Sequence, residues 1–199
     1  MKMIGWILLW GLSLFGKEVY PYQVIAFRHA EKFVTLQDLD ALLNEMGQRR
    51  AAYLVEFFLG GENPIIDQKA HEVAAFVVPN SHGKSYHYVR TTQTIIPLFH
   101  EAQAFRLETQ GKTVELISQN PYTKPETVLS QILGKPRFAG KTVVICWEHT
   151  YLPRLFDGMP LAVKETLHHL GDDRFDVVWV IRWEDGTPKG YTFYQKESL

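Results

Sequence analysis

The sequence predicts an α/β domain of three layers, a mostly parallel central sheet with an antiparallel edge and helices on both faces. Three observations lead there. Continuous apolar runs at Val24–Phe27, Val73–Val78 and Thr142–Trp147 read as strands buried on both faces. Stretches with apolar residues at helical spacing lie between them, and strand–helix alternation favours parallel pairing. Near the C-terminus, Asp185-Gly186 separates two strand-like runs, which is a tight-turn signal for a hairpin at the sheet edge.

The elements follow in order. Residues 1–16 stand apart: Met1-Lys2-Met3 carries one positive charge, Ile4 to Phe15 is apolar apart from Gly and Ser, and Gly16 precedes Lys17. This composition suits a secretory leader, although Leu14 sits where a small residue is preferred; an uncleaved anchor or an N-terminal segment packed on the domain is the alternative. The expected location is therefore secreted or periplasmic, with cytoplasmic or N-terminally anchored placement as alternatives, and no stable membrane insertion once a leader is removed. Residues 17–199 form one domain, since no linker or repeat divides them.

The first strand is Tyr22 to Phe27. Leu39, Leu42, Leu43 and Met46, then Ala51, Leu54, Val55 and Phe58, follow helical spacing. Gly47 reads as a turn inside that pattern, leaving a helix from about Gln48 to Phe58 that Gly60-Gly61 stops. Pro79-Asn80 ends the second strand, and a polar loop runs to His87. A helix is expected over Val89–Phe105, with Pro97 inside it. A short strand follows at Thr113–Ile117. A short helix at Pro125–Leu133 is opened by proline and closed by Gly134. After the Lys141–Trp147 strand come helices from Tyr151 to Phe156 and from Ala162 to Leu170. Phe175–Trp183 and Tyr191–Tyr194 close the sheet.

Composition bounds the chemistry. The 199 residues are 46% hydrophobic and 13% aromatic, enough for one sizeable core. A net charge of −1 gives no general electrostatic reason to bind nucleic acid or an anionic membrane. The single cysteine, Cys146, excludes an internal disulfide and a cysteine-based zinc knuckle; it reads as a small core residue.

Charged residues cluster at strand ends. The first strand ends in Arg28-His29. The second leads through its loop to Arg90, at the start of a helix. The third ends in Glu148-His149-Thr150. A parallel sheet gathers these positions in the crevice beyond its carboxyl edge, where open α/β sheets bind ligands. Two guanidiniums beside a helix N-terminus suit a dianion. Two histidines in the same pocket, with no thiolate nearby, suit phosphoryl transfer through a histidine nucleophile.

These residues resemble the histidine phosphatase superfamily, the phosphoglycerate mutase-like fold. Arg28-His29-Ala30-Glu31 is similar to its Arg-His-Gly-Glu signature, with Ala for Gly. Leu43-Asn44-Glu45-Met46-Gly47-Gln48-Arg49-Arg50-Ala51 is similar to the stretch that starts the family's next helix. Arg90-Thr91-Thr92-Gln93-Thr94 matches its Arg-x-x-Gln-Thr segment, and His149 falls where its second histidine follows a hydrophobic strand. The resemblance runs from about Gln23 to Val180.

The resemblance implies that His29 attacks phosphorus and carries the phosphoryl group. Arg28, Arg90 and His149 would hold its oxygens, and water would complete hydrolysis without a metal or organic cofactor. The expected partner is a small phosphorylated substrate or a phosphoprotein. The carboxylate that protonates the leaving group is unassigned. Glu31 and Glu148 are the candidates, although Glu148 on a regular strand would face away from His149. Glu101, Glu108 and Glu115 fit no familiar pattern, and His82 and His87 are further donors to consider. A substrate with a good leaving group would need no acid. The alternatives are a phosphate-binding relative without turnover and a phosphomutase. Trp147, Tyr151, Trp179 and Trp183 read as packing residues, with Trp147 also able to line a pocket.

Overall fold

A computed structural model of the chain describes residues 19–33, 42–81 and 89–196. The leader, Leu39, His82 and His87 lie outside the described residues. Six strands form one sheet: β1 (Gln23–Arg28), β2 (Val73–Pro79), β3 (Glu115–Asn120), β4 (Thr142–Trp147), β5 (Val177–Glu184) and β6 (Thr187–Tyr194). Their spatial order is β3-β2-β4-β1-β5-β6. The first four strands run parallel; β5 pairs antiparallel with β1, and β6 with β5. The mostly parallel sheet with an antiparallel edge is thus as the sequence predicts.

Strand side chains alternate between the two faces, and both faces are covered. Ile25 and Phe27 of β1, Val144 and Cys146 of β4, and Val178 and Val180 of β5 pack with helices α1 (Glu45–Leu59) and α2 (Val89–Gln110) through Leu54, Phe58, Ile95 and Leu98. Val24, Ala26, Val143, Ile145 and Trp147 face the other side. They pack on α3 (Glu126–Ile132), the 3₁₀ turn Leu152–Phe156 and the one-turn helix α4 (Leu161–Lys164). Cys146 is fully buried, and burial pushes its thiol well above its ordinary pKa.

Several boundaries differ from the sequence reading. α1 starts at Glu45, so Gly47 lies inside its first turn rather than in a turn before it. Asn44 caps the helix, its side chain accepting from the Gly47 N–H at 2.9 Å. Packing explains the glycine: a Cβ there would lie 2.0 Å from the Glu31 carbonyl oxygen. Gly47→Ala is therefore expected to destabilise the fold by about 2 kcal/mol, since overpacking against backbone outweighs the helix propensity gained. Denaturant unfolding checks this, and a stabilised variant would refute the close approach. α2 runs through Pro97 to Gln110, and the expected helix at Ala162–Leu170 shrinks to the four residues of α4. The Asp185-Gly186 turn holds as read, both residues having positive φ (50° and 79°).

The tryptophans pack as read. Trp147 is fully buried and donates its indole N–H to the Tyr122 carbonyl at 2.9 Å. Trp179 donates to the His168 carbonyl at 2.9 Å, and Trp183 stacks on Tyr20. Tyr151 packs edge-on against Tyr122.

Candidate active site

β1 and β4 end side by side, with Arg28 level with Trp147. The His29 N–H donates to the Trp147 carbonyl at 3.1 Å, which holds the nucleophile candidate just past the sheet. Ala30 then has two backbone contacts. Its carbonyl bonds His29 Nδ1 at 2.7 Å, and its N–H donates to Thr94 Oγ1 at 2.9 Å. Thr94 lies one turn along α2 from Arg90 and donates to the Arg90 carbonyl at 2.8 Å. Its neighbour Gln93 accepts the Leu43 N–H at 3.2 Å. The Arg-x-x-Gln-Thr segment thus supplies a cation and also fastens the backbone on either side of Glu31.

His29 is 1% exposed. A carbonyl accepts only, so Nδ1 carries the hydrogen and the Nε2 lone pair is available for attack. Burial, aided by the nearby positive charges of Arg90 and Arg28, holds its pKa well below the ordinary 6.5, despite the bond to Ala30. The ring is therefore neutral at neutral pH, the state a nucleophile requires. A stability consequence follows. An unfolded chain binds a proton near pH 6.5 that the native ring refuses, so native stability falls as pH drops below 6.5. The slope from this one group approaches about 1.4 kcal/mol per pH unit and ends at the native ring's own lower pKa. Urea denaturation at stepped pH, wild type against His29→Gln, measures it; equal slopes would contradict the burial effect.

Arg28 is also buried. Its Nη1 donates to the carbonyls of Gly171 (3.1 Å), Asp172 (2.8 Å) and Arg174 (3.0 Å). The guanidinium lies 3.9 Å from the Phe175 ring centroid. Burial pushes its pKa down to about 10, against the opposing pull of Glu148, Asp172 and Glu31, so it remains a cation. The sequence reading missed the Gly171–Phe175 segment. β5 runs antiparallel to β1, so the loop entering β5 arrives where β1 ends. The same antiparallel edge that was legible in the sequence carried this signal.

Arg90, the second residue of α2, is buried and close enough for its charge to act on both His29 and Arg28. His149 approaches from β4, its Nδ1 3.3 Å from Arg28 Nη2. Arg28, His29, Arg90 and His149 therefore meet at the carboxyl edge of the sheet. Beside them a groove of about 460 Å³ is lined by Glu31, Met46, Arg50 and residues 173–176.

The candidate acids fare differently. Both Glu31 oxygens accept from Arg50, at 2.6 and 2.9 Å, in a buried pair that ties the segment after β1 to α1. That geometry occupies the carboxylate and argues against Glu31 as proton donor. Glu148 does not face away from His149: beyond the last residue of β4, its Oε1 lies 2.6 Å from His149 Nδ1. Burial pushes its pKa up, but hydrogen bonds from His149 and Thr150 outweigh that and hold it below the ordinary value. It is thus a carboxylate at neutral pH rather than an acid. Glu101, Glu108 and Glu115 are exposed. Glu101 lies about 16 Å along α2 from Arg90, and Glu115 pairs with Arg137.

No family model and no curated protein matches the sequence. Solved structures do match the fold. A provisional phosphohistidine phosphatase, SixA from Agrobacterium tumefaciens, superposes with a TM-score of 0.54 at 14% identity, covering 89% of this chain and 100% of that one. A second SixA, from Nakamurella multipartitia, gives 0.51 at 15%, covering 92% and 99%. Phosphoglycerate mutase from Bacillus anthracis gives 0.54 at 11%, covering 92% and 94%.

Proposed function

We propose that the chain, which shares its phosphoglycerate mutase-like fold with those solved structures, is a phosphatase of the histidine phosphatase superfamily acting through a phosphohistidine on His29. The observation that carries the reading is the state of that ring: buried, neutral, its Nδ1 fixed by the Ala30 carbonyl at 2.7 Å. The Nε2 lone pair attacks the phosphorus of a bound phosphoryl group, and the ester oxygen departs opposite it. Arg28 and Arg90 offset the charge on the equatorial oxygens, in a site shielded from water where such charges act strongly, and His149 stands beside Arg28 at the same edge. Water then attacks the phosphohistidine and releases inorganic phosphate. This chemistry is supplied by the protein's own cations and assigns no step to a metal or organic cofactor. The groove beside Phe175 offers room for the rest of the substrate.

The test is hydrolysis of p-nitrophenyl phosphate with EDTA present, combined with acid-free quenching and mapping of labelled phosphate. Turnover with label on His29 is expected. Phosphate binding with neither turnover nor label would instead favour a binding protein that uses the same pocket.

A further inference from the structure

Under the phosphatase reading the leaving oxygen needs a proton, and neither carboxylate singled out in the sequence is placed to give it. The surroundings of His149 offer another source. Its Nδ1 has two close neighbours, Glu148 Oε1 at 2.6 Å and Arg28 Nη2 at 3.3 Å. A guanidinium cannot accept, so the Nδ1 hydrogen belongs to Glu148. Glu148 is 6% exposed and fixed in turn: the Thr150 N–H donates to its Oε2 at 2.9 Å and Thr150 Oγ1 to its Oε1 at 3.2 Å. The other ring nitrogen, Nε2, points toward the rim. It meets Asp172 Oδ1 at 3.3 Å, on a side chain that is 98% exposed and so able to yield to substrate. A ring with a buried carboxylate behind it and an open nitrogen in front is built to hold and release a proton.

We propose that Glu148 and His149 form an acid–base dyad, and that the substrate is accordingly a phosphate monoester of an alcohol rather than only an activated phosphate. In the first step His29 Nε2 forms a bond to phosphorus as the P–O bond to the alcohol breaks. The electron pair of that bond goes to the ester oxygen, which takes the proton from His149 Nε2 and leaves as a neutral alcohol. In the second step water gives a proton to His149 Nε2 as its oxygen attacks phosphorus; the N–P bond breaks and hydrogen phosphate leaves. His149 thus regains the proton it gave, and the net reaction is hydrolysis. Glu148 is a positioning residue: it touches no reacting atom and acts through the ring.

The experiment compares kcat/KM for phenyl phosphate, whose leaving oxygen is strongly basic, with that for p-nitrophenyl phosphate, whose leaving oxygen is weakly basic. Wild type, Glu148→Gln, Thr150→Val and Asp172→Asn are measured. Glu148→Gln is expected to slow phenyl phosphate by about 100-fold and p-nitrophenyl phosphate by less than about tenfold, because a proton donor matters most to a poor leaving group. Thr150→Val, which removes one bond to Glu148, should shift the ratio the same way by about threefold. Retained p-nitrophenyl phosphate hydrolysis shows that each variant is folded. Equal losses on both substrates in Glu148→Gln would overturn the dyad. So would a selective loss confined to Asp172→Asn, which would make that carboxylate the donor. A wild type inactive on both esters would overturn the phosphatase reading beneath it.

Discussion

His29→Ala is expected to lower kcat on p-nitrophenyl phosphate by at least about 10⁴-fold, with no label trapped on the protein. On the proposed route the substitution removes the atom that would bond phosphorus, and a neighbouring water held by the same cations cannot recover the covalent step. A 10⁴-fold loss is roughly 5 kcal/mol of barrier. The structural cost should be far smaller. His29 lies beyond the sheet, and among the described residues its side chain hydrogen-bonds only the adjacent Ala30. Unfolding should therefore change by about 1–2 kcal/mol. Activity within tenfold of wild type, in a variant that still binds phosphate, would remove His29 from its role.

Arg28→Ala is expected to act on stability and rate together. Its Nη1 gathers three carbonyls from residues 171–174 and its plane rests on Phe175, so the loop before β5 is folded around this guanidinium. Removing it also takes a buried positive charge away from Glu148 and Asp172. A loss of about 3–5 kcal/mol is expected, the range for breaking a buried charge network. Turnover should fall by about 10²–10³-fold from loss of transition-state charge. Arg28→Lys should restore little, because a compact ammonium has neither the plane that lies on Phe175 nor a second nitrogen to reach His149 while the first holds the carbonyls. Denaturant unfolding and hydrogen exchange over residues 171–176 measure the first effect. A variant with wild-type stability and an ordered loop would show that Arg28 serves substrate alone.

How much of this was legible depended on the range of the interaction. β1, β2 and β4 were plain because strands buried on both faces must be continuously apolar, and the ends of β1 and β4 located Arg28, His29 and His149. The start of α1 was misread because glycine usually marks a break; here it admits the Glu31 carbonyl, a contact no local pattern reveals. α2 was read through Pro97 as it stands, but it ends later than expected, at Gln110 rather than Phe105. Glu148 was assigned to the wrong side by strand alternation, a rule that lapses once the chain leaves the sheet. Gln93 and Thr94 matched a motif, but their work as backbone fasteners required the third dimension.

Ala30 buries its methyl against Leu43 and Ala51, forming a small cluster of its own apart from both main cores. Because the residue contributes a carbonyl and an amide to its neighbours, its side chain serves only as a clasp. The proposed nucleophile is thereby tied to α1 in addition to its bonds with β4 and α2, so loosening one large core by mutation should leave its aim intact longer than its host's melting point would suggest.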